Sequence, residues 1–271
     1  MPDSIRHPAL DSRFRGNDVW ESNMSKVIRL KVKRRDNPNQ APFWEEFEIP
    51  YRPRMNVISV LMEIQRNPKN AKGETVRPVH WESSCLEEVC GSCTMVINGK
   101  ARQACSALID HLEQPVTVEP MSKFPIIRDL QVDRSAMFNT LKKVKAWIPL
   151  DGSHNLGPGP KMSPELANER YEFSKCMTCG CCCEACPQFK LDGPFMGAFS
   201  FGQVHYFNEH PTGKMQEDQR LDAVMDIGGL VDCGNAQNCV AACPKGIPLA
   251  NAIAELGWDT TKRAFKKLFD E

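Results

Sequence analysis

The chain has 271 residues, 41% of them hydrophobic, and its 34 acidic residues balance 34 basic ones. That length suits two small domains, the composition excludes global disorder, and the neutral charge gives no reason to expect nucleic acid as a partner. Thirteen cysteines stand out; the count is odd and no apolar signal segment precedes them, so metal binding in a reducing compartment is favoured over a disulfide framework. No stretch approaches the roughly 18 consecutive apolar residues of a membrane helix, so work at a membrane would need another chain to hold this one there.

Residues 1–24 lack periodicity and read as a disordered extension or as a start placed too early. VIRLKVKRR (27–35) alternates apolar and basic residues, as a half-buried strand does, and EEFEIP (45–50) reads as its partner. NVISVLMEIQRN (56–67) spaces Val57, Leu61 and Ile64 for a short amphipathic helix. TMVINGKARQA (94–104) predicts a hairpin, with Asn98-Gly99 supplying the positive φ of a type I′ turn, and VTVEP (116–120) a last short strand. SAMFNTLKKVKAWI (135–148) predicts a helix ended by Pro149, followed by a Gly- and Pro-rich connector over 150–165. Beyond it the pattern is mostly helical: ELANERYEFSKC, DQRLDAVMDIGGL and the C-terminal IPLANAIAELGWDTTKRAFKKLFDE. The expected division is therefore a mixed β-sheet domain over 25–134 and a mainly helical domain over 135–271, an α+β chain of two unlike modules.

The cysteines fall into three groups. Cys85, Cys90, Cys93 and Cys105 are spaced C-x4-C-x2-C-x11-C, the plant-type [2Fe–2S] arrangement. Three thiolates come from one tight loop and the fourth from a neighbouring strand, and Gly91 lets backbone N–H groups approach the sulfides. Zinc sites prefer paired C-x2–4-C knuckles, which this loop lacks. In CMTCGCCCEACP (176–187), Cys176, Cys179, Cys182 and Cys186 fit the bacterial ferredoxin run C-x2-C-x2-C-x3-C-P, whose fourth cysteine serves the other cluster of a pair. Cys181 and Cys183 are off-pattern and read as buried packing residues. CGNAQNCVAACP (233–244) is the same run with Ala236 where the second cysteine belongs. Crossing both runs gives Cys176, Cys179, Cys182 and Cys243 a [4Fe–4S] cluster. Cys186, Cys233 and Cys239 are left with three thiolates, which suit a [3Fe–4S] cluster because an alanine methyl cannot ligate iron. A [4Fe–4S] cluster with water at the open corner is the alternative.

SCLEEVCGSC (84–93), INGKARQAC (97–105), FPIIRDLQVDR (124–134), KCMTCG (175–180) and CPKGIPL (243–249) resemble, in order and spacing, the iron–sulfur subunit of succinate dehydrogenase and fumarate reductase, the complex II family. YRPRMNVISVLMEIQRNP (51–68) and VKAWIPLDG (144–152) are similar to the menaquinone-linked, Bacillus-type branch. The resemblance implies a β-grasp plant-type ferredoxin domain followed by a helical, bacterial-ferredoxin-like one. It implies an electron relay from FAD in a flavoprotein partner, through the three clusters, to quinone (menaquinone in that branch) at a cytochrome b-type membrane anchor. It also implies a peripheral position on the cytoplasmic face of the bacterial inner membrane, with no dicarboxylate site and no catalytic side chain on this chain. Many ubiquinone-linked members carry an aromatic pair after the second run's Cys-Pro and a His after the first cysteine of the third. Here Lys190, Leu191 and Gly234 stand at those places, so those quinone contacts are not carried over.

The same subunit in a quinol:fumarate reductase, a zinc-binding interaction module and a freestanding ferredoxin are the competing expectations. The apolar stretch GPFMGAFSFGQVHYF (193–207) fits either the anchor interface or the core, with His205 a packed or capping residue. Phe265, Leu268 and Phe269 form one face of the last helix, suited to docking, to core packing or to a membrane surface.

Overall fold

A computed structural model describes residues 26–148 and 161–269. The expected N-terminal extension, 1–24, and most of the 150–165 connector lie outside the described residues.

The alternation in the first strand is realised as β1 (Val27–Arg34), whose Ile28, Leu30, Val32 and Arg34 point inward. It pairs antiparallel with β2 (Phe43–Pro50) and parallel with β5 (Val116–Glu119). The hairpin β3 (Thr94–Ile97) and β4 (Lys100–Gln103) completes a five-stranded sheet of order β2-β1-β5-β3-β4. Its turn has Asn98 at φ 47° and Gly99 at φ 75°, both left-handed as a type I′ turn requires. The helix α1 (Val57–Arg66) buries Val57, Val60, Leu61 and Ile64 against this sheet. Burial of each such side chain contributes about 1.5–3 kcal/mol. Asn56 caps α1 through its Oδ1, which accepts from Ser59 N at 2.8 Å, while its Nδ2 donates to the carbonyl of Cys105 at 2.8 Å. One side chain thus ends the helix and holds a cysteine.

A small hairpin that the sequence pattern did not reveal, β6 (Ile126–Arg128) and β7 (Gln131–Val132), joins the two halves. Its turn residue Asp129, at φ 44°, is fully buried and accepts from Arg34 Nη2 at 3.1 Å, Arg35 N at 3.1 Å and His80 N at 2.9 Å. The buried charge on the inward face of β1 is therefore paired, and the pair pins the hairpin to the sheet.

The helical half begins with α2 (Ser135–Lys143), shorter than the 135–148 expected. Lys145 takes φ 49°, and the fully buried Arg220 collects the carbonyls of Lys145 at 3.0 Å and Trp147 at 2.9 Å, so the chain leaves helical geometry before Pro149. Next come α3 (Pro164–Ser174), α4 (Cys181–Ala185), α5 (Ala198–Asn208), α6 (Glu217–Met225), α7 (Asn238–Ala241) and α8 (Leu249–Phe269). The apolar α5 is the centre of this half rather than a surface: Phe199, Phe201, Val204 and His205 are all buried, and α5 packs on α3, α6 and α8. Core packing does not stop where α2 starts, because Met121, Phe124 and Val132 share one cluster with Phe173, Cys182 and Phe199. The two halves are fused along that seam.

Candidate metal centres

The loop from Cys85 to Cys93 turns through left-handed residues at Leu86, Glu88 and Gly91. That path aims backbone amides inward: Glu87, Val89 and Cys90 N donate to Cys85 Sγ at 3.3–3.4 Å, and Ser92 N donates to Cys90 Sγ at 3.5 Å. Burial alone would raise the Cys90 thiol, but N–H groups of Cys85 and Ser92 outweigh it and draw the thiol down to about 6. Cys93 is pushed up to about 12 by burial and lies beside Cys105, which follows β4. Amides that stabilise sulfur charge are what a cluster with anionic thiolates and sulfides requires.

The second run forms a tight turn into α4, with Thr178 at φ 50° and Gly180 at φ 91°. A cavity of ≈ 30 Å³ there is lined by Cys176, Cys179, Cys182 and Cys243 among apolar walls that include Phe199 and Leu249. The fourth cysteine comes from the far end of the third run. A second cavity, ≈ 20 Å³, is lined by Cys186, Cys233 and Cys239, with Ala236 on its wall. Both spaces are small, so the count of sulfurs separates them rather than room. Cys182 on α4 and Cys239 on α7 share one core cluster and the two helices are in contact, so the two cavities are neighbours.

Burial pushes the Cys176 thiol up to about 12 and Cys239 to about 11, with neighbouring thiols adding to both. Several thiolates crowded into a dry pocket need a cationic core, and iron coordination deprotonates a thiol outright. The donor set and the amide-rich loops therefore fit iron–sulfur clusters. The off-pattern Cys181 and Cys183 are fully buried, as their packing reading requires. His205 is also buried, with its edge on Phe173 at 4.6 Å between rings and with Glu169 and Glu255 at 3.6 and 3.5 Å.

Sequence reasoning did not see the contacts that join the sites. Gly91 has φ 72°, and a Cβ there would lie 2.9 Å from Cys179 Cα, so the first loop abuts the second. Arg134 donates to the Gly91 carbonyl at 2.7 Å. Glu184 accepts from the amides of Ser122 and Lys123 at 3.0 and 3.1 Å, and the Lys123 ammonium reaches the Cys186 carbonyl. None of these pairs carries a local signal, because the hydrogen-bonded partners are 43 to 63 positions apart and Gly91 and Cys179 lie farther apart still. Beside the third group a groove of ≈ 740 Å³ runs along α8, lined by Cys233, Asn235, Val231, Ile253, Phe265 and Leu268. Lys190 and Leu191 are exposed, whereas Gly234 lies on the second cavity's wall next to the Gln188 amide.

Among known families, the 2Fe-2S iron-sulfur cluster binding domain matches residues 29–139 and the 4Fe-4S dicluster domain matches residues 172–247. The chain is 60% identical over 244 residues to the succinate dehydrogenase iron-sulfur subunit of Bacillus subtilis, covering 90% of this chain and 96% of that protein. It is 31% identical to the fumarate reductase iron-sulfur subunit of Wolinella succinogenes, covering 86% and 97%. Its fold superposes on a chain of the Mycobacterium smegmatis Sdh1 complex in the apo form with a TM-score of 0.74 at 23% identity, over 89% of this chain and 98% of that one.

Proposed function

Because the chain belongs to the iron–sulfur subunits of succinate dehydrogenase and fumarate reductase, its role is electron transfer, and we propose which residues of each cysteine group carry it. Cys85, Cys90, Cys93 and Cys105 hold the [2Fe–2S] cluster. Cys176, Cys179, Cys182 and Cys243 hold the [4Fe–4S] cluster, and Cys186, Cys233 and Cys239 the [3Fe–4S] cluster. The observation that carries this reading is the pair of small cavities, one walled by four cysteines and the other by three cysteines and Ala236. Bound there, the clusters supply one-electron carriers between flavin and quinone chemistry in partner subunits.

The chain's own residues hold and separate these sites. Asn56 ties the Cys105 carbonyl to the start of α1, and Arg134 ties the first loop to the segment before α2. Apolar walls that include Phe199 and Leu249 surround the cavity of Cys176, Cys179, Cys182 and Cys243. Residues 25–134 and 135–271 are the two modules of this reading, the first facing the flavoprotein and the second the membrane anchor. Succinate oxidation is the direction that the name of the 60% identical relative favours, and menaquinone as acceptor is what the resemblance of residues 51–68 and 144–152 implies. A cytochrome b-type anchor holds the chain, as a peripheral subunit, at the cytoplasmic face of a bacterial inner membrane.

EPR of the purified complex tests the assignment. The oxidised protein is expected to show a [3Fe–4S] signal that vanishes on reduction, and Ala236→Cys is expected to admit a fourth iron and lower that centre's potential. A clean [4Fe–4S] signature in the unaltered protein, or an unchanged [3Fe–4S] signal in the variant after anaerobic iron reconstitution, would overturn it. Succinate oxidation compared with quinol-driven fumarate reduction in the same preparation decides direction; negligible succinate oxidation sinks the first choice.

A further inference from the structure

The last cysteine group lies in the helical half, yet a charged side chain of the sheet half reaches it. Lys123 belongs to the segment between β5 and β6 and is half-buried. Its ammonium donates to the carbonyl of Cys186, the residue that ends α4. Among the described residues that ammonium forms no ion pair with a carboxylate. The main chain behind it is pinned from across the seam. Glu184 on α4 accepts from Ser122 N at 3.0 Å and from Lys123 N at 3.1 Å, so the lysine leaves a fixed point.

Asn238 on α7 donates to the neighbouring carbonyl, that of Ala185, at 3.1 Å. The last carbonyls of α4 therefore have two donors, one neutral and one charged. A neutral amide satisfies a helix end, and half-burying an unpaired charge has a desolvation cost that an amide avoids. Hydrogen bonding alone thus does not account for an ammonium at Cys186. Cys186 lines the cavity shared with Cys233, Cys239 and Ala236, and apart from its cysteines that lining has no ionisable side chain among the described residues. A charge fixed on the main chain of one wall residue meets no opposing charge on the others.

We propose that Lys123 is a positioning residue whose ammonium, acting through the main chain of Cys186, raises the potential of the last cluster. The inference rests on Cys186 being a [3Fe–4S] ligand, as assigned above. When that centre takes one electron from the [4Fe–4S] side, its charge falls by one, and no bond or proton changes hands. A fixed positive charge beside a ligand stabilises the reduced form more than the oxidised one, and partial burial limits its screening by salt. The sheet half thereby helps to poise the final acceptor through a side chain that also closes the seam.

The test is an EPR-monitored redox titration of the complete complex. Lys123→Met keeps the length and loses the charge. It is expected to shift the oxidised-to-reduced ratio of the [3Fe–4S] centre about tenfold toward oxidised at fixed potential, a fall of about 59 mV. Lys123→Gln keeps an N–H donor without the charge and should fall by a similar amount. Lys123→Arg keeps the charge and should stay within about twofold of the unaltered ratio. An unmoved [3Fe–4S] potential in Lys123→Met overturns the proposal. So does a Lys123→Gln potential equal to that of the unaltered protein, which would assign the effect to hydrogen bonding. Should Lys123→Met fail to assemble, Lys123→Gln against Lys123→Arg decides it: equal potentials refute the role of charge. The underlying assignment fails separately. A shift confined to the [4Fe–4S] centre would show that Cys186 serves the other cluster, whereas unmoved potentials in both centres, beside an intact [3Fe–4S] signal, would refute the role of Lys123 alone.

Discussion

Gly91 shows how much one missing methyl decides. It follows a ligand cysteine, has φ 72°, and faces the Cys179 backbone so closely that a Cβ would meet both Cα and Cβ of that residue at 2.9 Å. An L side chain there costs about 1–2 kcal/mol in backbone conformation alone, and backbone atoms on the other side cannot move aside as a flexible side chain would. Gly91→Ala is expected to destabilise the protein by about 2 kcal/mol or more and to part the two loops. Hydrogen exchange of the amides of 177–182 should quicken in the variant while that of β1 and β5 does not. Unchanged exchange along that turn would show that the close approach is not what holds the seam. Two roles thus meet in this glycine: sequence motif accounts for the turn, and only the partner loop accounts for the contact.

The elements of the helical half are held as much by charge lattices as by apolar faces. Arg263 on α8 donates to both oxygens of Asp222 at 2.9 Å and to Asp218 at 2.8 Å, while Lys267 pairs with Asp222 at 2.7 Å. The Arg263 hydrogen bonds, ahead of the lysine, hold the Asp222 carboxyl at about 2 in place of its ordinary 3.8. A depressed carboxylate contributes stability that is complete above its unfolded value and is lost as protons bind. The α6–α8 clasp is therefore expected to weaken as pH falls from about 4 to about 2. These groups are partly exposed, so solvent screening limits the effect, and Arg263→Ala is expected to cost about 1 kcal/mol at neutral pH. Thermal melting followed by circular dichroism measures it; an unshifted melting temperature would show the clasp to be ornamental. Past the early end of α2, Arg220 collects the carbonyls of Lys145 and Trp147 and fixes the chain's exit path.

At the scale of the whole molecule, one group of exposed apolar residues lies at the C-terminal end of α8. Phe265, Leu268 and Phe269 on α8 are 58%, 72% and 84% exposed, and Val231 beside them is 90% exposed. These residues adjoin the groove that reaches Cys233 and Asn235. No helix among the described residues is long and apolar enough to cross a membrane. An exposed patch of this kind next to the last cluster site suits the anchor contact of the proposed assembly. Leu268→Glu together with Phe269→Glu is expected to reduce recovery of the chain with membranes severalfold, while the three cluster signals persist in EPR. Undiminished recovery would place the anchor contact elsewhere.

The cysteine groups were legible before any coordinates because cluster chemistry constrains spacing: thiolates around one small core must come from tight loops, and the third run shows a gap at Ala236. Strand and helix identities in the first half were legible for a related reason, since one buried face imposes period two on β1 and a helical period on α1. The short turns α4 and α7 and the β6–β7 hairpin were not, because they are held by cysteine loops, by the Arg34–Asp129 pair and by packing across the seam rather than by local periodicity. The sequence by itself determined how the cysteines group, that crossing the two runs pairs Cys243 with the second group, and that the third run holds Ala236 where its second cysteine belongs. Only the tertiary structure decided that Gly91 abuts Cys179 and that Gln103 bridges to Cys181. Those are contacts between residues far apart in the chain, and nothing in a local pattern reports which buried surfaces meet.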